Sequence, residues 1–485
     1  MSFLKNCLPL ILLFFFACNS GSKVSDPDEE EPQPTQQEIT FTIDRNITYQ
    51  TIEGFGFFGA RDVWWTGDEE NLITEEWARM IIEDLGITIW RNEYYPPEVP
   101  GSTQDANWQK QKPVVEGIAA AAANAGVDLK MIFTVWSPPA SMKIAYTDPE
   151  NWTDRERLPE EPHPGGTKEG GTLDPAKYEE FGNWLADGIQ IYEDLGIELY
   201  AISPQNEPFF EQFFNSCFYK PEWYAEMLEN AIPVVKERYP NVKIFGAEGM
   251  VSMEAQPWFH HTELMEAGNE SARNQLDIWA VHGYSDGVNP TGAAEDWSIN
   301  YEEYVQPTGK PIWMTETSGY FDHWESSGGS AGAMDLALNI HAALKYGHVS
   351  AWVWWQGSEI GDINEYNLMD GEGNPSKRYY VSKQFYRFIR PGAERIELTY
   401  PDSDNVVGTA YYHPEMDVFT VVAINNSGDE VKLTLEGENL PERFDVYTTT
   451  KTQNSVLESD VDSSDIVLSP SSIVTLVNGD VFEHK

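Results

Sequence analysis

The sequence predicts an α/β fold: a (β/α)8 barrel with a side-attached antiparallel β-sandwich built from N- and C-terminal strands. Three observations predict it. Apolar runs alternate with helical stretches from about residue 53 to residue 390, the texture of parallel strands buried on both faces. Past Arg390-Pro391-Gly392 the helical stretches stop and short strands follow at close spacing. Residues 38–52 already carry that second, alternating pattern before the barrel begins. At 485 residues the chain holds one large barrel, which takes about 250 residues or more, and a smaller module.

Residues 1–17 carry Lys5 and then the apolar run Leu8 to Phe16, the layout of a signal peptide. Phe15-Phe16-Ala17-Cys18 resembles the lipobox of bacterial lipoproteins, which implies lipidation at Cys18. Residues 18–37 are rich in Ser, Gly, Pro, Asp and Glu, with too few apolar side chains to pack, and read as a flexible tether. The expected location is therefore outside the cytoplasm, lipid-anchored at the bacterial outer membrane or cell surface. With Cys7 lost in the signal and Cys18 acylated, only Cys217 remains, so no intrachain disulfide is expected.

Residues 53–390 supply eight strand candidates: Gly54 to Ala60, Thr88 to Arg91, Lys130 to Trp136, Leu199 to Ser203, Lys243 to Ala247, Ile278 to Tyr284, Pro311 to Thr315 and Ala351 to Trp355. Between them, Pro113 to Asn124 is Ala-rich. Pro175 to Leu195 places Tyr178, Phe181, Leu185, Ile189 and Tyr192 on one face, and Gly332 to Tyr346 does so with Leu336, Ile340 and Leu344. Residues 391–485 give strands at Val406 to Tyr412, Val418 to Asn425, Val431 to Leu435, Phe444 to Thr448 and Ile473 to Val477, with Asn426-Ser427-Gly428-Asp429 read as a hairpin turn. The strands near Phe41 and Ile47 are expected to join them.

The charge narrows the partners. With 79 Asp and Glu against 31 Lys and Arg, the net charge is -48, which repels nucleic acid. Seventeen Trp and 23 Tyr offer faces on which sugar rings can stack.

In a barrel of this kind, chemistry sits at the C-terminal ends of the strands. Ile202-Ser203-Pro204-Gln205-Asn206-Glu207-Pro208 delivers Glu207 just after the fourth strand, and Trp313-Met314-Thr315-Glu316 delivers Glu316 at the end of the seventh. Two carboxyl groups about 5–5.5 Å apart perform retaining glycoside hydrolysis, one protonating the leaving oxygen and the other attacking the anomeric carbon. Asn206, beside the acid, is placed to hydrogen-bond a substrate hydroxyl. His260-His261 is the only adjacent His pair, and neighbours in sequence do not face one way, so no metal site is expected there. No cofactor is expected.

These segments, together with Ile52-Glu53-Gly54-Phe55-Gly56, Val135-Trp136-Ser137-Pro138-Pro139-Ala140-Ser141-Met142-Lys143, Val281-His282-Gly283-Tyr284, Lys377-Arg378-Tyr379-Tyr380 and Phe388-Ile389-Arg390-Pro391-Gly392, resemble glycoside hydrolase family 30 over about Phe41 to Val477. The resemblance implies a retaining β-glycosidase with Glu207 as acid/base and Glu316 as nucleophile. It implies that Arg91 keeps the nucleophile ionised, that Trp136 and Trp355 form parts of the sugar platform, and that His282 and Tyr284 lie near the nucleophile. Asn206, Arg91, Trp136, His282, Tyr284 and Trp355 are thus the candidate substrate-binding residues.

The implied substrate is a β-linked polysaccharide or oligosaccharide, with xylan first and β-1,6-glucan or β-1,6-galactan as the alternative, acted on by a monomer. The glucuronoxylanase branch of the family grips a uronate with Arg and Tyr side chains after its eighth strand. This chain has Trp354-Trp355-Gln356-Gly357-Ser358-Glu359 there, so obligatory uronate recognition is not expected. A reading of another class is a carbohydrate-binding lipoprotein with a decayed site on the same fold.

Overall fold

The computed structural model describes residues 37–59, 74–99, 102, 105–163, 166–251, 259–284, 293–359, 361–401, 405–479 and 481. The signal peptide, Cys18 and nearly all of the tether lie outside them.

Eight strands close into a parallel barrel, in the order of the chain: Gly54–Phe58, Ile89–Glu93, Lys130–Thr134, Leu199–Ser203, Lys243–Met250, Ile278–His282, Ile312–Glu316 and Val349–Trp354. Every one corresponds to a run read from the sequence. The runs are continuously apolar because each strand is buried on both faces, and alternate residues serve two different cores. Ile89, Ile132, Ala201, Phe245, Ile278, Trp313, Ala351 and Val353 fill the barrel itself, while their neighbours Trp90, Phe133, Ile202, Ile244, Trp279, Met314 and Trp352 pack outward under the helices. Arg91 lies two residues on from the inward Ile89, and so its side chain joins the interior at the C-terminal mouth.

Helix boundaries follow caps more than composition. The Ala-rich helix runs Ala106–Ala125 and contains Pro113, because Asp105 caps its start by accepting from the Asn107 and Trp108 amides at 3.0 and 3.3 Å. Asp174 likewise accepts from Ala176 N at the turn Pro175–Lys177 that leads into Tyr178–Asp194. After the third barrel strand the chain forms a small three-stranded sheet, Lys143–Tyr146, Arg157–Pro162 and Thr172–Leu173. It stands beside the loop that follows the fourth strand.

The side module is one nine-stranded sheet wrapped around its own core of Phe41, Ile396, Val421, Leu433, Val446 and Leu476 among others. The N-terminal strand Gln37–Thr51 is inserted third from one edge, antiparallel to Glu394–Thr399 and parallel to Val431–Gly437; every other pairing in the module is antiparallel. That insertion changes the meaning of Asn426 to Asp429. The strands on either side of this turn do not pair: Val418–Asn425 pairs with Val406–His413 and Ser472–Val477, while Val431–Gly437 takes the N-terminal strand and Ile466–Leu468. The segment is a crossover and not a hairpin, and Asn425 Nδ2 fastens its base by donating to Asp429 O at 2.8 Å. Gln384 Nε2 to Thr449 Oγ1 at 2.7 Å and Thr475 Oγ1 to Gln384 O at 2.8 Å join barrel and module.

Candidate active site

The fourth strand ends at Ser203, and the chain then turns sharply. Asn206 N donates to Val135 O at 2.7 Å, and Glu207 takes a left-handed backbone with φ of 40°. Such a conformation costs a non-glycine residue about 1–3 kcal/mol and is found where side-chain aim matters more than backbone comfort. Its result is that Glu207 leans over the mouth towards Glu316. One carboxylate oxygen of each, with a ring nitrogen of His282, lie within 4.8 Å of one another. That separation falls on the retaining side, since inverting pairs stand about 6.5–9.5 Å apart to admit a water.

Beneath the two carboxylates lies Arg91, with no solvent exposure. Its Nη1 donates to Glu316 Oε2 at 2.5 Å, its Nη2 to Asn206 Oδ1 and Glu248 Oε1 at 2.9 Å each, and its Nε to Thr134 Oγ1 at 3.2 Å. Accepting at Oδ1 turns the Asn206 NH2 end away from Arg91. Burial disfavours the guanidinium charge, but Glu248 and Glu316 outweigh it and hold Arg91 more basic than usual.

Glu248 is the residue that the sequence reading passed over. It too has a left-handed backbone, with φ of 53°, and it is fully buried. Ser203 Oγ donates to it at 2.7 Å and Thr315 Oγ1 at 3.0 Å, and His282 Nε2 stands 3.4 Å away. Burial pushes its pKa up, yet Arg91 and these hydrogen bonds win and keep it lowered. The available signal was the one that marks Glu207 and Glu316: a glutamate directly after an apolar strand run, here Ile244 to Ala247.

His282 completes the cluster. Its Nδ1 faces Glu207 Oε1 at 2.9 Å, so each ring nitrogen has a carboxylate against it. Burial pulls the imidazole down, but the charge of Glu316 and the bonds to Glu207 and Glu248 raise it to about 9, so both nitrogens carry protons at neutral pH. A doubly protonated ring offers no lone pair to a metal. Glu207 is raised by burial first and by Glu316 and Glu248 after it, against the opposing pull of His282. Tyr284 Oη donates to Glu316 Oε1.

Arg91 and His282, two of the candidate substrate-binding residues, are entirely buried and lie against carboxylates, Arg91 on Glu316 and Glu248 and His282 on Glu207 and Glu248. Trp136 and Trp355 pack around Phe58, with centroid distances of 5.6 Å and 4.3 Å, and Trp136 also covers the Arg91 guanidinium at 4.9 Å. Trp355 keeps a partly exposed face. Glu359 accepts from Asn364 Nδ2 at 2.7 Å inside the loop after the eighth strand. Arg378 is buried under that loop and donates to the carbonyls of Tyr320, Asn364 and Asn367, which commits it to holding the backbone.

No protein-family model matches the chain. It is 25% identical over 397 residues to glucuronoxylanase XynC of Bacillus subtilis, covering 80% of this chain and 79% of that protein. It is 24% identical over 365 residues to endo-1,6-β-D-glucanase neg1 of Aspergillus fumigatus, covering 69% of each. Among solved structures, a family 30 endoxylanase from Clostridium papyrosolvens C71 superposes with a TM-score of 0.70 at 22% identity, over 91% of this chain and all of that one. The resemblance to glycoside hydrolase family 30, on its xylanase-like side, therefore holds in sequence and in fold.

Proposed function

We propose that this chain is a retaining glycoside hydrolase acting on β-linked cell-wall polysaccharide, with xylan as the first substrate to test and β-1,6-glucan as the second. The observation that carries the reading is the approach of Glu207 and Glu316 to within 4.8 Å over a buried Arg91. The similarity to a glucuronoxylanase supports xylan, and that to an endo-1,6-glucanase supports the second choice.

In the first step Glu207 gives its proton to the glycosidic oxygen as the bond from C1 to that oxygen breaks, and the Glu316 carboxylate bonds to C1. Burial raises the Glu207 pKa above the ordinary carboxylate value, which favours the protonated form that the first step needs. In the second step the Glu207 carboxylate takes a proton from water, the water oxygen attacks C1, and Glu316 departs. Two inversions leave the configuration retained. With its Oδ1 taken by Arg91, the Asn206 NH2 is the donor that this reading assigns to the 2-hydroxyl.

A 2-fluoro-glycoside with a good leaving group should label Glu316 stoichiometrically, as read by peptide mass mapping. Label on another residue, or wild-type turnover by Glu316→Gln, rejects the assignment. Digests of xylan, β-1,6-glucan and β-1,6-galactan, analysed by product length, then identify the glycan. The proposal extends to location: Cys18 carries lipid and the protein is anchored at the bacterial outer membrane or cell surface. Radiolabelled palmitate should enter the wild type and not Cys18→Ser.

A further inference from the structure

The loop between Glu207 and Tyr219 spends its apolar side chains in an unusual way. Phe213 is 89% exposed, Phe210 50% and Phe214 43%. Large apolar groups gathered at a surface mark a binding face more often than a packing failure. The loop around them is firmly built. Phe210 N donates to Glu207 O at 2.9 Å, Gln212 N donates to Ser216 Oγ at 3.1 Å, and Ser216 Oγ also receives Gly170 N at 3.0 Å. At its base Asn215 Nδ2 donates to the buried Glu93 Oε1 at 2.9 Å, and Lys143 Nζ donates to Ser216 O at 2.9 Å. Glu211, the loop's one charge between Phe209 and Phe214, is drawn aside to Arg155 at 3.3 Å. What faces outward is three Phe rings beside Glu211, whose side chain stays 44% exposed while paired to Arg155.

The loop also touches the reacting groups. Gln212 Nε2 donates to Glu207 Oε2 at 2.9 Å, on the carboxylate oxygen that His282 leaves open. A general acid protonates the leaving oxygen, so whatever lies beyond the scissile bond must emerge on the acid's side of the cleft, away from Glu316. The residues that flank Gln212 are therefore the ones that a departing sugar meets first. Phe213 and Phe214 follow Gln212 directly in the chain, with ring centroids 5.0 Å apart and planes at 87°.

We infer that Phe213 and Phe214 form the leaving-group platform of this enzyme, stacking a neutral sugar ring just beyond the scissile bond, with Gln212 registering the platform on the acid/base. The inference rests on the hydrolase reading above and adds to it. The site takes a substrate with a sugar on both sides of the cut, and the ring on the leaving side is uncharged.

The test compares two substrates. A tetrasaccharide of the series that wild type cleaves, β-1,4-xylo or β-1,6-gluco, needs the platform. The matching disaccharyl β-fluoride has nothing beyond the scissile bond. Phe213→Ala/Phe214→Ala should lower kcat/KM on the tetrasaccharide about tenfold while leaving the fluoride within about twofold, the scale of one aromatic contact. Phe213→Trp should restore most of the loss. An equal fall on both substrates shows that the loop acts through Glu207 and overturns the platform. Unchanged tetrasaccharide cleavage overturns it as well; if the double variant then also loses sedimentation with phosphatidylglycerol vesicles, or loses self-association in the ultracentrifuge, the face belongs to a membrane or to a second copy. Wild type inactive on both fluoride and oligosaccharide rejects the hydrolase reading itself, a result distinct from either of these.

Discussion

Glu248 Oε1 lies 2.9 Å from Arg91 Nη2, and neither side chain has any exposure to solvent. An ion pair so deep is costly to bury, and it is retained here because each member has a second duty. Arg91 reaches Glu316 with its other nitrogen, and Glu248 faces His282, which faces Glu207. The two candidate catalytic carboxylates thus hang from the two ends of one buried charge chain.

Glu248→Gln should damage function and stability together. The isosteric amide leaves Arg91 with a single carboxylate and removes an anion from His282. Breaking one side of a buried pair costs about 3–5 kcal/mol, which thermal unfolding would register as a large drop in Tm. Turnover should fall about 10- to 100-fold even at temperatures where the variant is fully folded. A Glu248→Gln protein with wild-type kcat would mean that the pair serves packing alone.

Glu207→Ala should separate leaving groups. Substrates that need protonation lose most of their rate, activated aryl glycosides lose much less, and added azide restores the second step with retained configuration. Because burial raises the Glu207 pKa, the alkaline limb of kcat/KM in the wild type should lie above the ordinary carboxylate range. That limb should vanish in Glu207→Ala with an activated substrate. An unchanged limb would assign it to another group.

The charge on His282 sets a pH window for stability. Its folded pKa of about 9 lies above its ordinary 6.5, so protonation favours the folded state. The contribution is complete below about pH 6.5, fades as pH rises, and is gone above about pH 9; by linkage it amounts to about 3 kcal/mol. The Tm gap between wild type and His282→Gln should accordingly be widest in mild acid and shrink towards pH 9. A gap independent of pH would show that the ring is neutral and held by Glu207, Glu248 and Glu316 without charge.

Three glutamates follow apolar strand runs, yet the sequence reading singled out only two. Glu207 and Glu316 close their runs. Glu207 is followed by Pro208, a strand-stopping residue, and Glu316 ends its strand outright. Glu248 sits inside its strand, which continues through Gly249 to Met250, and what turns it inward is a backbone dihedral that composition does not reveal. The barrel was legible because each strand's burial depends on its own residues. The side module was less so, for a physical reason: Val431–Gly437 takes its partner from Gln37–Thr51, and no local pattern announces a pairing between residues that far apart. Val456–Asp462 escaped notice because it is an exposed edge strand with no apolar alternation.

On xylan, the chain should not require glucuronate branches. A bidentate Arg clamp would be needed to hold a uronate, and among the described residues of the loop after the eighth strand the charges are acidic, while Arg378 is committed to three backbone carbonyls. Initial rates on linear or arabinose-bearing xylan should at least equal those on glucuronoxylan. Strict dependence on the uronate would place an arginine from elsewhere, Arg61 included, at that subsite.

The strand Gln37–Thr51 leaves the ribosome first among the described elements, yet its neighbours Glu394–Thr399 and Val431–Gly437 leave nearly last. Until then its apolar face, Ile39, Phe41 and Ile43, has no sheet to enter, and both edges of the strand are open to any extended chain nearby. The apolar face of this strand is therefore covered only once the chain has been made through Val431–Gly437. A stop codon just after Gly437 would strip Val446, Leu476 and their neighbours from the module core while leaving all eight barrel strands in the chain.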